Sequence, residues 1–340
     1  MNKKINVLFK VVGSEKIGMG HVLRSLGLAR EIQKNLETEV FFYSNPDKNV
    51  VKKIADRYRM FSNKDIVDVV LKNSIDILII DQMEECIDLC KRLKRKKPDI
   101  LIVALDYFNY RNEEVDVIIN LYNHNLDFPN PRRLVKCYYE GLEYAIIRDS
   151  FDRYIGEERV IKEYANEILV AFGGADPCNN TIKILKLLNG IKDNFKVNIV
   201  IGPLFKEKDK ILALVKDNKE KYKIYEDIAN MEDIIFNTDL GFIGSGTTLM
   251  EFCALGTPAI VMPQNEREQR FARLFKQKGA IDILEKDYTN EEKIGLIKKI
   301  ISSKEVRERM SIRERELIDG KGKERIKRII MENYHKLQSK

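Results

Sequence analysis

The sequence predicts an α/β protein of two domains, each built on an open parallel sheet. Three observations lead there. The length of 340 residues suits about two domains at roughly 150 residues each. Near the N-terminus a glycine-rich loop joins an apolar run to an amphipathic stretch, and a second series of short apolar runs begins at residue 167. In order, INVLFKVV reads as a strand, GSEKIGMG as a loop, and HVLRSLGLAREIQK repeats apolar positions at helical spacing, which makes one βα unit. Apolar runs at 40–43, 77–80, 100–105 and 117–119 follow helical stretches, as a parallel sheet requires. The charged segment 148–166 leads into EILVAF, VNIVIG, KIYE, LGFIG and AIVMP, a second α/β series. The boundary is expected near residue 155, giving domains 1–155 and 156–340 with the C-terminal helices in the second. No Pro/Gly/Ser linker marks it, so the halves are expected to pack closely, with the cleft between them as the default ligand site. Beyond Asp287 the chain is helical and highly charged with apolar residues on one face, which reads as a set of surface helices.

Composition narrows the function classes. Charged residues make up 33% of the chain, above the roughly 25% of an average globular protein, so much of that charge lies on solvated faces. Sixty Lys plus Arg against fifty-three Asp plus Glu leave a net charge of +7 with the signs interspersed, and aromatics do not interleave with the basic residues, so nucleic acid is not an expected partner. The run KRLKRKK at 91–97 reads as a solvated helix face, with weak peripheral contact to an anionic membrane as the alternative. Five cysteines without CxxC spacing indicate neither a disulfide framework nor a zinc ribbon, and a reducing, cytoplasmic compartment fits them best. Cys86 and Cys90, four apart on a helix, read as packing residues. No cleavage site follows the first apolar run and no stretch reaches about 18 apolar residues, so neither secretion nor a membrane span is expected. The three histidines, His21, His124 and His335, are far apart and give little material for catalytic zinc; no metal and no cofactor are expected, and the chain is expected to be a monomer.

The glycine turns carry the chemistry. Gly13, Gly18 and Gly20 lie between the first strand and helix, where backbone N–H groups and a helix N-terminus can face an anion. The loop lacks the Lys-Ser/Thr of a P-loop and has Leu23 where a dinucleotide fingerprint needs its third glycine, so a tight turn without ligand stays open as the plain alternative. His21 follows at the helix start, where the positive end of the dipole favours a neutral imidazole able to act as a base; the alternative is an exposed or capping residue. Arg24, one turn on, projects to a similar side and suits a phosphate or carboxylate. In LGFIGSGTTLMEFCALGTPAIVMP the turn Gly244, Ser245, Gly246, Thr247, Thr248 precedes a helix and suits an anion, although the hydroxyls are equally explained as caps. Glu251, about a turn into that helix, suits ribose hydroxyls. A third turn, Gly173-Gly174-Ala175-Asp176-Pro177, follows EILVAF, with Asp176 a candidate cap for the next helix.

GMGHVLRSLGLA, ALDYFNYRNEEVDVIIN, YYEGLEYAIIRDSF, ILVAFGGADPCNNTIKIL, VNIVIG and LIDGKGKERIKRII, in order across nearly the whole chain, resemble the UDP-sugar hydrolases of pseudaminic acid synthesis (the PseG type). Their relatives are the spore coat polysaccharide proteins (the SpsG type) and, further off, the MurG-type glycosyltransferases. The resemblance implies a GT-B architecture, two Rossmann-like domains with UDP held mainly by the second, and no metal. It makes His21 the base that activates water for inverting cleavage of the anomeric C–O bond of a UDP-linked N-acetylated deoxysugar, releasing UDP. By position it gives Glu251 the ribose, Asn265 the Asn of the family's Asn-Gln segment, and Gln269 the MurG-type Gln. Asp81 matches the first residue of the family's Asp-His-Tyr, but Gln82 and Met83 replace the other two, so two sugar contacts are missing. Asp106 matches a further strand-end Asp, with sugar contact and loop structuring equally open.

The leading expectation is therefore a nucleotide-sugar hydrolase serving nonulosonic acid or surface polysaccharide biosynthesis. The alternative is a GT-B glycosyltransferase in which His21 deprotonates a saccharide or lipid-linked acceptor. A third reading, a UDP-sugar-binding partner without turnover, draws on the loss of the His-Tyr pair and has no use for His21.

Overall fold

The computed structural model describes residues 4–14, 19–34, 37–82, 85–122, 131–226, 228 and 230–339. The chain forms two compact units, Met1–Arg148 together with Gly320–Lys340, and Asp149–Asp319.

The first unit alternates strand and helix: β1 (Ile5–Val11), α1 (Gly20–Gln33), β2 (Thr38–Tyr43), α2 (Lys48–Ala55), β3 (Arg59–Phe61), α3 (Ile66–Lys72), β4 (Ile77–Asp81), α4 (Ile87–Lys96), β5 (Leu101–Leu105), β6 (Val117–Asn120) and β7 (Cys137–Glu140). Its seven parallel strands run in the order β3-β2-β1-β4-β5-β6-β7. The central strands ILIID and LIVAL are buried at every position, the pattern of strands covered by helices on both faces. Asp47 and Asp65 start α2 and α3 by accepting from the amides of Asn49 (2.9 Å) and Val67 (2.8 Å). Cys86 and Cys90 are buried in this core.

The second unit repeats the plan with β8 (Glu167–Ala171), α5 (Asn180–Asn189), β9 (Lys196–Ile201), α6 (Lys208–Val215), β10 (Tyr222–Glu226), α7 (Met231–Phe236), β11 (Leu240–Ile243), α8 (Thr247–Leu255), β12 (Ala259–Val261), α9 (Glu266–Gln277), β13 (Asp282–Ile283), α10 (Asn290–Ser302) and α11 (Lys304–Leu317). Its six strands are ordered β10-β9-β8-β11-β12-β13, the Rossmann order. Three strands absent from the sequence reading, β3, β7 and β13, are all short edge strands, where burial on one side leaves a weak apolar signature.

Two sequence expectations change. The units divide at Arg148 and Asp149 rather than near 155, and the last helix, α12 (Gly322–Gln338), belongs to the first unit, not the second. The reason is its apolar edge: Ile326, Ile329, Ile330 and Tyr334 join the core formed by β1, α1, β5 and β6. The charged C-terminal region is also more than a set of surface helices. Ile297, Ile300 and Ile301 of α10 enter the core of the second unit. On α11, Arg307 is wholly buried and donates to the carbonyls of Ile300 (3.0 Å), Lys162 (2.9 Å) and Glu163 (3.0 Å), tying α10 and α11 to the strap before β8. No helix among the described residues is long and apolar enough to cross a membrane.

Candidate active site

In each sheet the strand order reverses at one point, between β1 and β4 in the first unit and between β8 and β11 in the second. Loops leaving the C-terminal ends of the two strands diverge there and open a crevice, the usual ligand position of such sheets. Most of the sequence-predicted residues that the structure describes fall at these two places.

In the first unit Asp81 ends β4 beside Val11, the last residue of β1. His21, Arg24 and Ser25, at helical spacing i, i+3 and i+4, share the face of α1 turned toward it. The Asp81 carboxylate is wholly buried; it accepts from Arg24 Nε (2.8 Å) and Ser25 Oγ (2.8 Å), binds Arg24 Nη2, and lies 2.7 Å from His21 Nδ1. Arg24 also bridges to Asp106, which holds the left-handed backbone conformation (φ 50°) just after β5. Burial alone would push the Asp81 carboxyl up, but the field of Arg24, its hydrogen bonds and the one from His21 prevail and hold it well below the usual carboxylate range. Burial alone would lower the Arg24 guanidinium, yet Asp81 and Asp106 raise it above its ordinary value.

These charges fix the imidazole. An ionised carboxylate only accepts, so at 2.7 Å His21 Nδ1 carries the hydrogen and donates it to Asp81. Arg24 Nη2, 3.1 Å from the same nitrogen, is a second donor converging on Asp81 Oδ1, not a donor to the ring. The lone pair is then on Nε2, which has no protein partner among the described residues. His21 is 20% exposed, enough to reach a ligand. An imidazole held in one tautomer by a buried carboxylate, with its other nitrogen unengaged, is the arrangement of a general base.

In the second unit the glycine turns after β8 and β11 flank the other crevice. Gly173 (φ 77°), Gly174 and Gly246 have open space where a side chain would begin. Gly202, after β9, packs its backbone against the Gly173 carbonyl so closely that a Cβ would come within 2.3 Å of that oxygen. Gly246 starts α8 without any side-chain cap, and the hydroxyls of Thr247 and Thr248 have no hydrogen-bond partner among the described residues. Amides of the first helical turn therefore remain available to an anion. Ser245 does not cap the helix, since its hydroxyl donates to the Glu268 carbonyl (2.7 Å). Its amide donates to Glu268 Oε2 (3.3 Å), which also accepts from the Gln264 amide (3.0 Å); Gln264 reaches the Phe172 carbonyl at the end of β8 (3.3 Å). Gly244 lies under this cluster, where a Cβ would stand 3.1 Å from Gln264 Nε2.

The structure thus brings His21, Arg24, Asp81 and Asp106 together in one unit, and Gly173, Gly174, Gly244, Ser245, Gly246, Thr247 and Thr248 at the crevice of the other. Gly20 opens α1; Gly18 and Met83 lie outside the described residues. Several expected ligand contacts have other partners. Asp81, expected at a sugar, is 0% exposed and engages only protein groups. Glu251 is 4% exposed beneath the first turn of α8. Asn265 caps α9 by accepting from the Glu268 amide (2.9 Å), and Gln269 donates to Glu285 (2.9 Å). Asp176, a candidate cap from the sequence, accepts from the amides of Asn180 and Thr181 at the start of α5 (both 2.8 Å). Sequence reasoning missed Ser25, although its i+4 spacing from His21 was visible, and Glu268, for which no local pattern gave a signal. Among the described residues no group of three or more His, Cys, Asp or Glu is placed to hold a metal ion.

Comparison with known proteins agrees with this architecture. Residues 168–328 match the glycosyltransferase family 28 C-terminal domain. Over nearly the full length the chain is 26% identical to the spore coat polysaccharide biosynthesis protein SpsG of Bacillus subtilis, covering 96% of this chain and 98% of that one. It is 32% identical to protein MJ1062 of Methanocaldococcus jannaschii over 76% of its own length, and spans 55% of the length of that relative. Among solved structures, MurG of Acinetobacter baumannii superposes with a TM-score of 0.68 at 13% identity, covering 96% of this chain and 99% of the other. The chain accordingly has the GT-B fold, and most of its second unit is similar to the glycosyltransferase family 28 C-terminal domain.

Proposed function

We propose that this protein is a UDP-sugar hydrolase, with the second unit holding UDP and His21 of the first supplying the base. The observation that carries the reading is the His21–Asp81 pair: Nδ1 is 2.7 Å from a buried carboxylate and Nε2 is open. In the proposed reaction Nε2 takes a proton from water as the oxygen attacks the anomeric carbon. The bond from that carbon to the diphosphate oxygen breaks, its electron pair leaves with UDP, and the anomeric centre inverts. Asp81 stabilises the imidazolium that forms, and Arg24 and Ser25 keep Asp81 ionised and in place. The uncapped start of α8, with Gly246, Thr247 and Thr248, would stabilise the negative charge developing on the leaving diphosphate. No metal is required, since the helix N-terminus and hydroxyls supply that stabilisation.

The likeness to SpsG, named for spore coat polysaccharide biosynthesis, supports a role in making a surface sugar, with an N-acetylated deoxysugar of the nonulosonic acid type as the proposed carried group. A second reading, a glycosyltransferase in which His21 deprotonates an acceptor hydroxyl, is favoured by the family 28 domain match and the likeness to MurG. UDP release from a panel of UDP-linked N-acetylated deoxysugars, with and without EDTA, tests both. Release in water alone, insensitive to EDTA and lost in His21→Ala, supports the hydrolase. Release only after an acceptor is added overturns it in favour of the transferase.

A further inference from the structure

Asn120 closes β6, and its buried side chain commits both of its polar atoms to the loop that leaves the neighbouring strand β5. Oδ1 accepts from the Tyr107 amide (2.9 Å), and Nδ2 donates to the Tyr107 carbonyl (3.0 Å) and to Tyr110 Oη (3.1 Å). The β5/β6 ladder ends one step earlier, at the bond from the Asp106 amide to the Ile119 carbonyl (3.0 Å), so the Asn120 side chain stands in for the next rung. Between these two fixed points sits Asp106, in a left-handed conformation (φ 50°) that its short polar side chain tolerates without preferring it. Asp106 is thus held from both sides in the conformation in which its carboxylate meets Arg24 Nη1.

We infer that Asn120 is a positioning residue for His21, acting by holding Asp106 against Arg24. This deepens the proposed function and rests on its assignment of His21 as the base. The path is short. Asn120 fixes the loop, the loop presents Asp106, Asp106 shares the Arg24 guanidinium with Asp81, and Arg24 Nη2 stands 3.1 Å from His21 Nδ1. Among the described residues the charged groups bearing on the imidazole are Asp81 from β4, Arg24 from α1 itself and, through Arg24, Asp106 from the loop after β5. Two carboxylates against one guanidinium leave the set negative, which favours the imidazolium formed when Nε2 takes a proton. With Asp106 displaced, Arg24 cancels Asp81, and the imidazole becomes the weaker base.

The chain has three histidines, so the titration of His21 can be followed by NMR of the full chain carrying ¹³C-labelled histidine, its resonance identified by its loss in His21→Ala. This reports on the imidazole whether or not a substrate turns over. Asp106→Asn keeps a side chain suited to the left-handed backbone and removes the charge; its His21 midpoint is expected about half a pH unit or more below wild type. Asn120→Ala releases the loop and is expected to move the midpoint in the same direction, and the two changes together should move it no further than Asp106→Asn alone. Should Asn120→Ala fail to fold, Asn120→Ser, whose side chain is too short to make all three bonds, takes its place. In UDP-sugar turnover the acidic limb of the rate profile moves with the midpoint. A midpoint unmoved or raised in Asp106→Asn, a double variant that shifts further, or an Asn120 variant that loses stability with its midpoint at the wild-type value overturns the inference. Wild type that releases no UDP in water overturns the hydrolase reading alone, because the titration decides the positioning role without turnover.

Discussion

Replacing Asp81 by Asn changes one oxygen to an amide in a site where every neighbour is a donor. Arg24 donates to both carboxylate oxygens, Ser25 to one and His21 Nδ1 to the other. Whichever way the new amide points, its N–H₂ meets a donor. If it faces His21, the ring takes the opposite tautomer and Nε2 carries the hydrogen, so the base is lost. If it faces Ser25 and Arg24 Nε, Asp106 is the one carboxylate partner left to Arg24 among the described residues, and that side chain is 15% exposed. Removing one partner of a buried ion pair costs about 3–5 kcal/mol of stability, and amidating the carboxylate behind a catalytic histidine lowers turnover by about 10³- to 10⁴-fold.

The pH dependence has a defined sign. The native Asp81 carboxyl titrates below its unfolded value of about 4, so its contribution is present above that pH and is lost as pH falls toward the lower native value. The stability gap between wild type and Asp81→Asn is therefore full at neutral pH and narrows below about pH 4. Urea unfolding across pH measures the gap, and UDP release with and without His21→Ala measures the catalytic part. In the proposed reaction Asp81 acts through His21, so the double variant should be no slower than His21→Ala alone. Losses that multiply, or a folded Asp81→Asn with turnover within about threefold of wild type, would refute the reasoning.

Gly246→Val adds bulk at the uncapped start of α8, where no atom lies within 4 Å of a new Cβ; UDP affinity should fall at least about tenfold by calorimetry while the melting temperature changes little. Glu314, wholly buried on α11 with neither oxygen hydrogen-bonded among the described residues, has its carboxyl pushed well up by burial. Its native state favours the protonated form, so wild type loses stability as pH rises above about 4; Glu314→Gln should match wild type near pH 4 and exceed it by about 1–3 kcal/mol at pH 8 in denaturant titrations. Ile330→Ala should cost about 2–4 kcal/mol and reduce amide exchange protection in β1, β5 and β6, since that side chain is 0% exposed in the core of the first unit. Protection lost first in β8 and β11 would contradict the placement of α12.

The sheets were legible because parallel strands covered on both faces are written as unbroken apolar runs, as in ILII and LIVAL. The edge strands and the return of α12 were not, because edge burial leaves little composition bias and because amphipathic periodicity shows that a helix has a buried face without showing which core receives it. The same limit applies at the sites. His21, Gly244 and Gly246 stand next to strand-to-helix turns and could be read locally. The role of Asp81 depends on a contact between residues 60 positions apart, set by the β1/β4 pairing, and that of Glu268 on loops meeting after β11 and β12. Asn265 shows a further limit: motif position points it to the ligand and gives no sign that its side chain also caps α9 by accepting from the Glu268 amide.

The two units share the strand order around their reversal points yet furnish them differently. At the first, fixed charges dominate: Asp81, Arg24 and Asp106 hold one another, and the arrangement has little to offer a phosphate because its guanidinium is already shared by two carboxylates. At the second, the donors are backbone amides and hydroxyls at the start of a helix, and the Glu268 carboxylate beside them is engaged with the turn itself. One crevice is thus suited to moving a proton and the other to holding an anion. That division argues that substitutions at His21 or Asp81 should act on turnover with UDP affinity retained, whereas substitutions around Gly246 should act on affinity. A variant at His21 that abolished UDP binding would break the separation, because no residue of the His21 network belongs to the unit that carries the amides.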